Sequence, residues 1–579
     1  MTDKDQVDRL RSDLLRAYYT LSDINLFQAA KWCAEALNGL PEQKESSEDY
    51  PDELPHGSIG DDDPRVDQNK FLLAKTYFNC KEFDRAAHVL KSCKSGNALF
   101  LRLYSILISV DKRATEQTDG SINIGSVNEL TDQQDVSPNN SKEVVNDLNS
   151  RLSKIIQESE NYLSKNDKGN AFLYYLNGVI YNKKKKYQLA QSNLYNSLKL
   201  FPYNWSAWQE LIASLNTFEE AITFISKIKA AKSSLSSNIM FQFFEVVVLQ
   251  EFYQQSASLF DSLNTLISIF PTFTFLKVQQ FLIAYHSLDY FQAEATFDQI
   301  LVDDPLRLDD LDTYSNMLYV MEKRPKLSFL AQFASMIDKF RPETCCVIAN
   351  YHSMKCEHEK AIMYYKRALM LNKNCLSAWT LMGHEFVELK NSHAAIESYR
   401  RAVDTNPKDF RAWYGLGQAY EVLDMHLYAL YYYQRATNLQ PLDKRMWQAI
   451  GNCYEKIDKL EEAMKSFEKA LSIDNYANDD GEGVVGVEPH ICYRLATVSE
   501  KLGNSKDTYK YMKLCFEQEF EWGITDETSK ARLWLARNSL ENRRFEEAYE
   551  LAKDLTHSNA HDIEEARSIA REARNRTSK

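Results

Sequence analysis

The stretch Trp413-Tyr414-Gly415-Leu416-Gly417-Gln418-Ala419-Tyr420 decides the fold, because its framework returns every 34 residues. The tryptophan, the second glycine and the last ring recur one period earlier and one period later. Each set is followed by a small residue, a ring and a second small residue. The recurring residues are Trp379, Gly383 and Phe386; Trp447, Gly451 and Tyr454; then Ala395, Tyr399 and Ala402; Ala429, Tyr433 and Ala436; and Ala463, Phe467 and Ala470. This self-similarity predicts stacked copies of one small unit.

The period and the residue types are typical of the tetratricopeptide repeat. Tryptophan, glycine and ring share one face of a first helix, helix A, and the small residues let a second helix, helix B, approach closely. Glycine inside a helix costs about 1 kcal/mol relative to alanine, so its recurrence indicates a packing requirement. Pro407 and Pro441 follow the second helices, where proline ends a helix. We predict an all-α tetratricopeptide-repeat solenoid, a right-handed superhelix of helix-turn-helix units without a sheet.

The repeat register, with the recurring glycine as position 8, extends outward over nearly the whole chain. Three polar or acidic stretches interrupt it and are expected to be disordered or looped. The predicted organisation is an N-terminal helical repeat at 1–40, an acidic linker at 41–66, helical repeats at 67–111, a polar loop at 112–146, degenerate repeats at 147–305, well-formed repeats at 306–475, a loop insertion at 476–488, and C-terminal repeats with a capping helix at 489–574. Little length remains for a separate catalytic domain.

Composition and motifs argue against several classes of function. The chain has a net charge of −13 and lacks the basic stripe that a nucleic-acid-binding surface needs. The four-lysine run Lys183–Lys186 falls in a predicted turn between two helices, where solvated charge is expected. A mean hydropathy of −0.47 without an apolar run near ~20 residues predicts no membrane span. The 10 cysteines form no C-x-x-C pair, and the histidines show no zinc spacing. No nucleotide-binding or catalytic signature occurs, so we expect that the protein is not an enzyme and that it binds no cofactor and no metal.

Four stretches carry a more specific resemblance, because they include residues that the repeat leaves free. They are Leu311–Val320, Arg341–Tyr351, Ala378–Glu385 and Arg411–Glu421. In these stretches the chain resembles the subunit-eight family of the anaphase-promoting complex, or cyclosome, and the resemblance is strongest from about Leu311 to Asp474. The N-terminal half matches more loosely.

The resemblance implies a non-catalytic scaffold of a cullin-RING ubiquitin ligase that acts on mitotic regulators during the cell cycle. It implies a nuclear and cytoplasmic protein that forms homodimers through its N-terminal repeats, here 1–271, and packs against sister tetratricopeptide subunits. It also implies a groove for the C box, an arginine-containing peptide of the propeller-type activator. A generic tetratricopeptide adaptor of another multiprotein assembly remains the alternative.

Periodicity independently predicts a concave surface built from positions 2, 5, 9 and 12 of the A helices. Position 5 holds Cys346, Thr380, Tyr414 and Gln448; position 9 holds Asn350, His384, Gln418 and Asn452; positions 12 and 13 supply Glu421, Glu455 and Glu388. Amides can fix a peptide backbone and carboxylates can hold a guanidinium. These residues are therefore a candidate peptide groove, although each could also be an ordinary solvated helix residue. A chaperone adaptor would need lysines at position 5, and there are none.

One modification site is also a candidate. Ser137 precedes Pro138 and fits a proline-directed kinase, although an ordinary turn explains the same pair.

Overall fold

The structure is a computed structural model that describes residues 3–40, 64–117, 138–166, 169–230, 235–254, 256–477, 488–553 and 560–577. Every regular element in these ranges is a helix, and consecutive helices pack as antiparallel pairs. The prediction of an all-α tetratricopeptide fold is confirmed. None of the described helices combines the length and the apolarity that a membrane crossing requires.

The chain divides into two compact units, residues 1–354 and 355–579. The helices of the first unit are α1 Asp3–Asp23, α2 Phe27–Gly39, α3 Pro64–Asn79, α4 Phe83–Val89, α5 Gly96–Gln117, α6 Pro138–Leu163, α7 Ala171–Lys183, α8 Tyr187–Leu200, α9 Trp205–Ser214, α10 Phe218–Ala230, α11 Ile239–Glu251, α12 Ala257–Ile269, α13 Thr274–His286, α14 Tyr290–Asp303, α15 Leu311–Val320, α16 Arg324–Ile337 and α17 Pro342–Met354.

The second unit contains the repeats with the clearest sequence pattern. Its helices are α18 His358–Leu371, α19 Leu376–Glu388, α20 Ser392–Thr405, α21 Phe410–Val422, α22 His426–Leu439, α23 Lys444–Lys456, α24 Leu460–Ala477, α25 Pro489–Lys501, α26 Ser505–Glu517, α27 Glu519–Trp522, α28 Asp526–Glu541, α29 Phe545–Lys553 and α30 Ala560–Thr577.

The turn between helices A and B has the same backbone in repeat after repeat. Its position 15 adopts a left-handed conformation, with φ of 58° at Lys390, 56° at Asp424 and 62° at Asp458. The same position is left-handed in the weaker units; the further residues are Asn25, Lys81, Lys185, Tyr253, Leu288, Glu322, Cys356, Gly503 and Arg543. The register that we extended outward from the three clear repeats is therefore the register of the fold.

The recurring glycine makes room for a ring from helix B. A Cβ atom on Gly417 would lie 2.4 Å from the ring of Tyr433, and one on Gly383 would lie 2.6 Å from the ring of Tyr399. Both rings are fully buried. The close approach across the two helices explains why glycine is kept at position 8 despite its low helix propensity.

The recurring tryptophan ties each helix A to the turn before it. The indole Nε1 of Trp413 donates to the carbonyl of Pro407, and that of Trp447 donates to the carbonyl of Pro441, both at 2.9 Å. Trp379 makes the same bond to the Lys373 carbonyl. The tryptophan thus fixes the connection between successive repeats as well as filling space.

The N-terminal hairpin α1–α2 packs against helices far along the sequence. The indole ring of Trp32 stacks on that of Trp205 with ring centroids 4.9 Å apart, and it contacts Phe243, Phe273 and Phe275. The Tyr203 hydroxyl donates to Asp13 Oδ2 at 3.0 Å. Phe243 and Phe275 stand at positions 5 and 2 of their A helices. In this part of the first unit, therefore, the chain's own α2 covers A-helix positions that the repeat pattern assigns to the concave surface.

Three predicted linker or loop segments need correction, because flanking helices extend into them at four boundaries. Helix α3 begins at Pro64, inside the predicted linker 41–66; α5 reaches Gln117 and α6 begins at Pro138, inside the predicted loop 112–146; and α24 reaches Ala477, inside the predicted insertion 476–488. Polar composition alone does not distinguish a helix end from a loop, so the sequence placed these boundaries inside the helices. Residues 41–63, 118–137 and 478–487 lie outside the described ranges, and the candidate phosphorylation site Ser137 is among them.

Candidate functional site

The second unit carries most of the predicted groove on three consecutive A helices, α19, α21 and α23. Repeat packing brings positions 5, 9 and 12 of these helices to one face. Tyr414, Gln418 and Gln448 are half-buried there, so their polar ends can meet a ligand. This face is the candidate peptide groove of the second unit. The predicted groove residues differ in burial and in hydrogen-bond partners.

Asn350 lies on α17, in the first unit, and its side chain is committed to packing. Its Nδ2 donates to Ser315 Oγ at 2.7 Å and to Asn316 Oδ1 at 2.6 Å, which joins α17 to α15. Asn350 and Cys346 are both buried. The interpretation of Asn350 as a side chain that faces a ligand is wrong, because its amide satisfies polar groups between two helices.

His384 is held in its neutral form. Its Nδ1 lies 2.8 Å from the hydroxyl of Tyr399, the ring that packs over Gly383. Burial, and then the positive charge of Arg411, lower the pKa of His384 to about 4. Burial also raises the pKa of Tyr399, so its hydroxyl is protonated and can donate to Nδ1. The ring nitrogen Nε2 of His384 then carries the proton.

Glu421 is oriented by a tyrosine from the partner helix of its own repeat. The Tyr433 hydroxyl donates to Glu421 Oε2 at 2.6 Å, and burial followed by this bond raises the pKa of Tyr433. The bond uses one carboxylate oxygen and leaves Oε1 able to accept another donor. On the same helix the side chains of Tyr414 and Gln418 lie one turn apart, and both are half-buried. One helix therefore presents a fixed carboxylate, an amide and a phenol in a row.

Glu455 has a different environment, and our expectation that it is an exposed carboxylate is wrong. Only 12% of its side chain is exposed, Lys501 Nζ lies 2.6 Å from its Oε1, and Arg494 Nη1 lies 3.6 Å from its Oε2. Both cations come from α25, in the next repeat. Glu455 already neutralises two cations, so it is poorly suited to bind a third.

The remaining candidates fall into two groups. Gln448 donates to Glu488 Oε2 at 3.2 Å, and Lys444 lies 3.4 Å from the same oxygen, so Gln448 helps to anchor the start of α25. Glu388 is exposed, whereas Thr380 is buried. Asn452 is half-buried, and within the described part of the chain its Oδ1 has no hydrogen-bond partner.

Sequence reasoning missed the cations at position 2 of the A helices. Arg445 forms a two-bond pair with Asp443, with nitrogen–oxygen distances of 3.1 and 2.7 Å, and Asp443 also accepts the Arg445 backbone N–H. Arg411 follows Asp409 at the same spacing, and its backbone N–H likewise donates to the aspartate, Asp409 Oδ1, at 3.1 Å. The signal was available, because an aspartate two places before an arginine occurs at both helix starts.

The described residues contain no group of three or more histidine, cysteine, aspartate or glutamate side chains placed to hold a metal ion. The groove instead offers hydrogen-bond donors, acceptors and one oriented carboxylate among aromatic rings. Such a surface suits recognition of a peptide main chain together with a cationic side chain.

Comparison with known proteins decides the family. The family model described as anaphase promoting complex subunit 8 / Cdc23 matches residues 9–281, and tetratricopeptide-repeat models match residues 383–423 and 444–476. The anaphase-promoting complex subunit CDC23 of Saccharomyces cerevisiae is 43% identical over 98% of this chain and 98% of its own length. The chain belongs to the subunit 8, or Cdc23, family of the anaphase-promoting complex.

Other members of the Cdc23 family match over shorter spans. Subunit 8 of Arabidopsis thaliana is 34% identical over 66% of both chains, and the human cell division cycle protein 23 homolog is 34% identical over 57% of this chain and 50% of its own. A crystal structure of the hetero-tetramer Cut9-Hcn1 aligns with a TM-score of 0.50 over 88% of this chain and 96% of that one, at 14% identity. That likeness concerns the fold alone.

Proposed function

We propose that this Cdc23-family chain is a non-catalytic scaffold of the anaphase-promoting complex, a cullin-RING ubiquitin ligase. In this role it holds sister tetratricopeptide subunits and binds the C box of the propeller-type activator in the groove of α19, α21 and α23. Activator binding there supports ubiquitination of mitotic regulators. The family membership and the repeat architecture support the scaffold role, since stacked repeats form an extended surface on which several partners can bind.

The observation that carries the peptide-binding part is the state of Glu421. Tyr433 fixes one oxygen of the carboxylate and leaves the other able to accept a charge-assisted hydrogen bond. Tyr414 and Gln418, on the same helix, can contact the apolar and main-chain parts of a peptide. We therefore assign the arginine of the C box to Glu421, and not to Glu455, which Lys501 and Arg494 already neutralise.

The test is a titration of the full-length chain with a C-box peptide. Glu421→Gln keeps an acceptor for Tyr433 but removes the negative charge, so affinity should fall roughly ten-fold or more. Glu455→Gln is the matched control and should bind within about two-fold of the wild type. A control peptide with alanine in place of the arginine should bind weakly to both the Glu421→Gln and the Glu455→Gln variants, with similar affinity. Equal binding of the wild type and Glu421→Gln would contradict the assignment.

The homodimer is a separate part of the proposal. We place its interface in residues 1–271, the N-terminal repeats through which the family resemblance implies dimerisation. Stable two-fold interfaces commonly bury more than ~2,000 Å². Sedimentation of the full chain at micromolar concentration should therefore give a dimer of the 67.1 kDa protomer. A monomer under these conditions would contradict this part and leave the peptide assignment intact.

Localisation follows from the same role. A subunit that acts on mitotic regulators is expected in the nucleus, with a cytoplasmic fraction. Fluorescence microscopy of the tagged full-length chain tests this expectation, and exclusion from the nucleus throughout the cell cycle would contradict it.

A further inference from the structure

Helix α22 has an outer face unlike those of the helices at the same place in the flanking repeats. Leu427 and Tyr431 are 69% and 49% exposed. One repeat earlier, on α20, the same positions hold His393 and Glu397. One repeat later, on α24, they hold Glu461 and Lys465. Since all three helices use the same small residues and ring for packing, the exposed apolar residues of α22 have no role in the repeat itself.

The exposed tyrosines belong to a continuous set of aromatic contacts. Tyr428 stacks on Tyr420 with ring centroids 5.6 Å apart, and Tyr420 stacks on Tyr432 at 5.2 Å. Tyr432 in turn contacts Trp413 at 6.1 Å and Tyr431 at 5.2 Å. Because each ring is braced by another, the surface is rigid and little side-chain entropy is lost when a partner covers it.

The charge of this face is positive in a chain with a net charge of −13. Helix α22, His426–Leu439, contains no aspartate or glutamate, whereas α20 contains two such residues and α24 contains four. The Arg435 guanidinium lies 5.5 Å from the Tyr431 ring centroid, and Arg400 Nη2 donates to the Tyr420 hydroxyl at 2.7 Å. Exposed tyrosine and arginine side chains together form the residue set that most often anchors protein interfaces.

We propose that the tyrosine face, defined as Leu427, Tyr428, Tyr431 and Arg435, binds an acidic, proline-containing segment of another subunit. Rigid aromatic rings favour proline, whose ring packs flat on them and whose polyproline II conformation is already ordered. The arginines favour a carboxylate in that segment, and they disfavour a basic one. The face lies on helix B, so its occupant is distinct from a peptide in the groove of the A helices.

The first experiment replaces the face with residues that flanking repeats already carry. Leu427→Glu with Tyr431→Lys copies Glu461 and Lys465 of α24, so the fold should tolerate the pair. In the complex purified through the full-length chain, we expect one partner subunit to be retained at least ten-fold less. The matched control is His393→Glu with Glu397→Lys, the same change on α20, which should retain all subunits. Equal retention by both variants would overturn the proposal.

The second experiment identifies the occupant directly. A photo-crosslinking amino acid is placed at Leu427 of the full-length chain in the assembled complex, and the crosslinked peptide is sequenced by mass spectrometry. We expect an acidic segment with proline from another subunit, the one lost from the first variant. A crosslink to a second copy of this chain, to a segment without proline or without acidic residues, or to no protein would overturn the proposal. Because neither experiment involves the C-box peptide, failure here is distinguishable from failure of the groove assignment.

Discussion

The hydroxyl of Tyr433 donates to Glu421 Oε2 at 2.6 Å, across the two helices of a single repeat. The tyrosine ring reaches that far because Gly417 lets it pass without a side chain in the way. One glycine therefore links the packing of the repeat to the orientation of a groove carboxylate. In the preceding repeat, the ring of Tyr399 likewise packs over Gly383, and its hydroxyl hydrogen-bonds to His384 Nδ1.

Replacing Gly417 by alanine should destabilise the second unit. The new Cβ would lie 2.4 Å from the Tyr433 ring, which is fully buried and has no free direction in which to move. Overpacking of this kind costs about 1 to 3 kcal/mol. Chemical denaturation measures the change. In a Tyr433→Leu background the same substitution should cost much less, and an equal cost in both backgrounds would show that the ring is not the obstacle.

Reversing the charge of Glu455 should lower stability, because a lysine there faces Lys501 and Arg494. Since Lys501 is about half exposed, we expect a modest loss of about 1 to 2 kcal/mol in the free energy of unfolding. Glu388→Lys, on an exposed position of α19, is the control and should change stability by less than about 0.5 kcal/mol. Equal effects of the two reversals would mean that the α25 cations do not depend on Glu455.

His384 should make the second unit sensitive to mild acid. Its pKa is about 4 in the folded chain and 6.5 without the fold, so the unfolded state binds more protons between these values. Stability is therefore complete above pH 6.5 and falls as the pH drops toward 4, by about 2 kcal/mol at pH 5. Denaturation of the wild type and of His384→Gln at pH 7.5 and pH 5 measures it. The variant should lose less stability, and identical losses would contradict the burial of a neutral imidazole.

Trp32→Ala should release the N-terminal hairpin from the first unit. The indole stacks on Trp205 and touches three phenylalanines, so its removal leaves a cavity and should cost about 3 to 5 kcal/mol. At a protease concentration that leaves the wild type intact, limited proteolysis should then cleave the variant near α2. Lys75→Ala, which removes an ion pair between α3 and Asp23 at the end of α1, is a milder control. Unchanged proteolysis of Trp32→Ala would show that the hairpin is held by other contacts.

The sequence was sufficient for the fold because its signal is periodic. Glycine at position 8 and the ring over it, as in Gly417 and Tyr433, are packing partners that recur at fixed spacing. The left-handed turn at position 15 could not be predicted from the sequence, since the position is occupied by residues as different as Lys390, Asp424 and Leu288, which share no conformational preference. The long-range docking of Trp32 on Trp205 was also invisible, because nothing in a periodic pattern indicates that an early hairpin returns to later repeats.

The sequence predicted which positions lie on the candidate groove face, but not which side chains there are already bonded to neighbours. Positions 5, 9 and 12 lie on one face of the A helices, as the repeat register predicts. The sequence could not distinguish Glu421, which keeps one carboxylate oxygen available, from Glu455, which forms ion pairs with two cations. That difference comes from Tyr433 in one repeat and from Arg494 and Lys501 in the next. Both depend on side-chain geometry between helices, whereas the repeat pattern specifies only which face a residue occupies.

Mass spectrometry of the native complex purified through the full-length chain tests the central claim most directly. If the chain is a scaffold of the anaphase-promoting complex, cullin-like and RING-type ligase subunits and sister tetratricopeptide subunits should co-purify with it in fixed proportions. Recovery of the chain in an assembly without cullin-like and RING-type subunits would contradict the account.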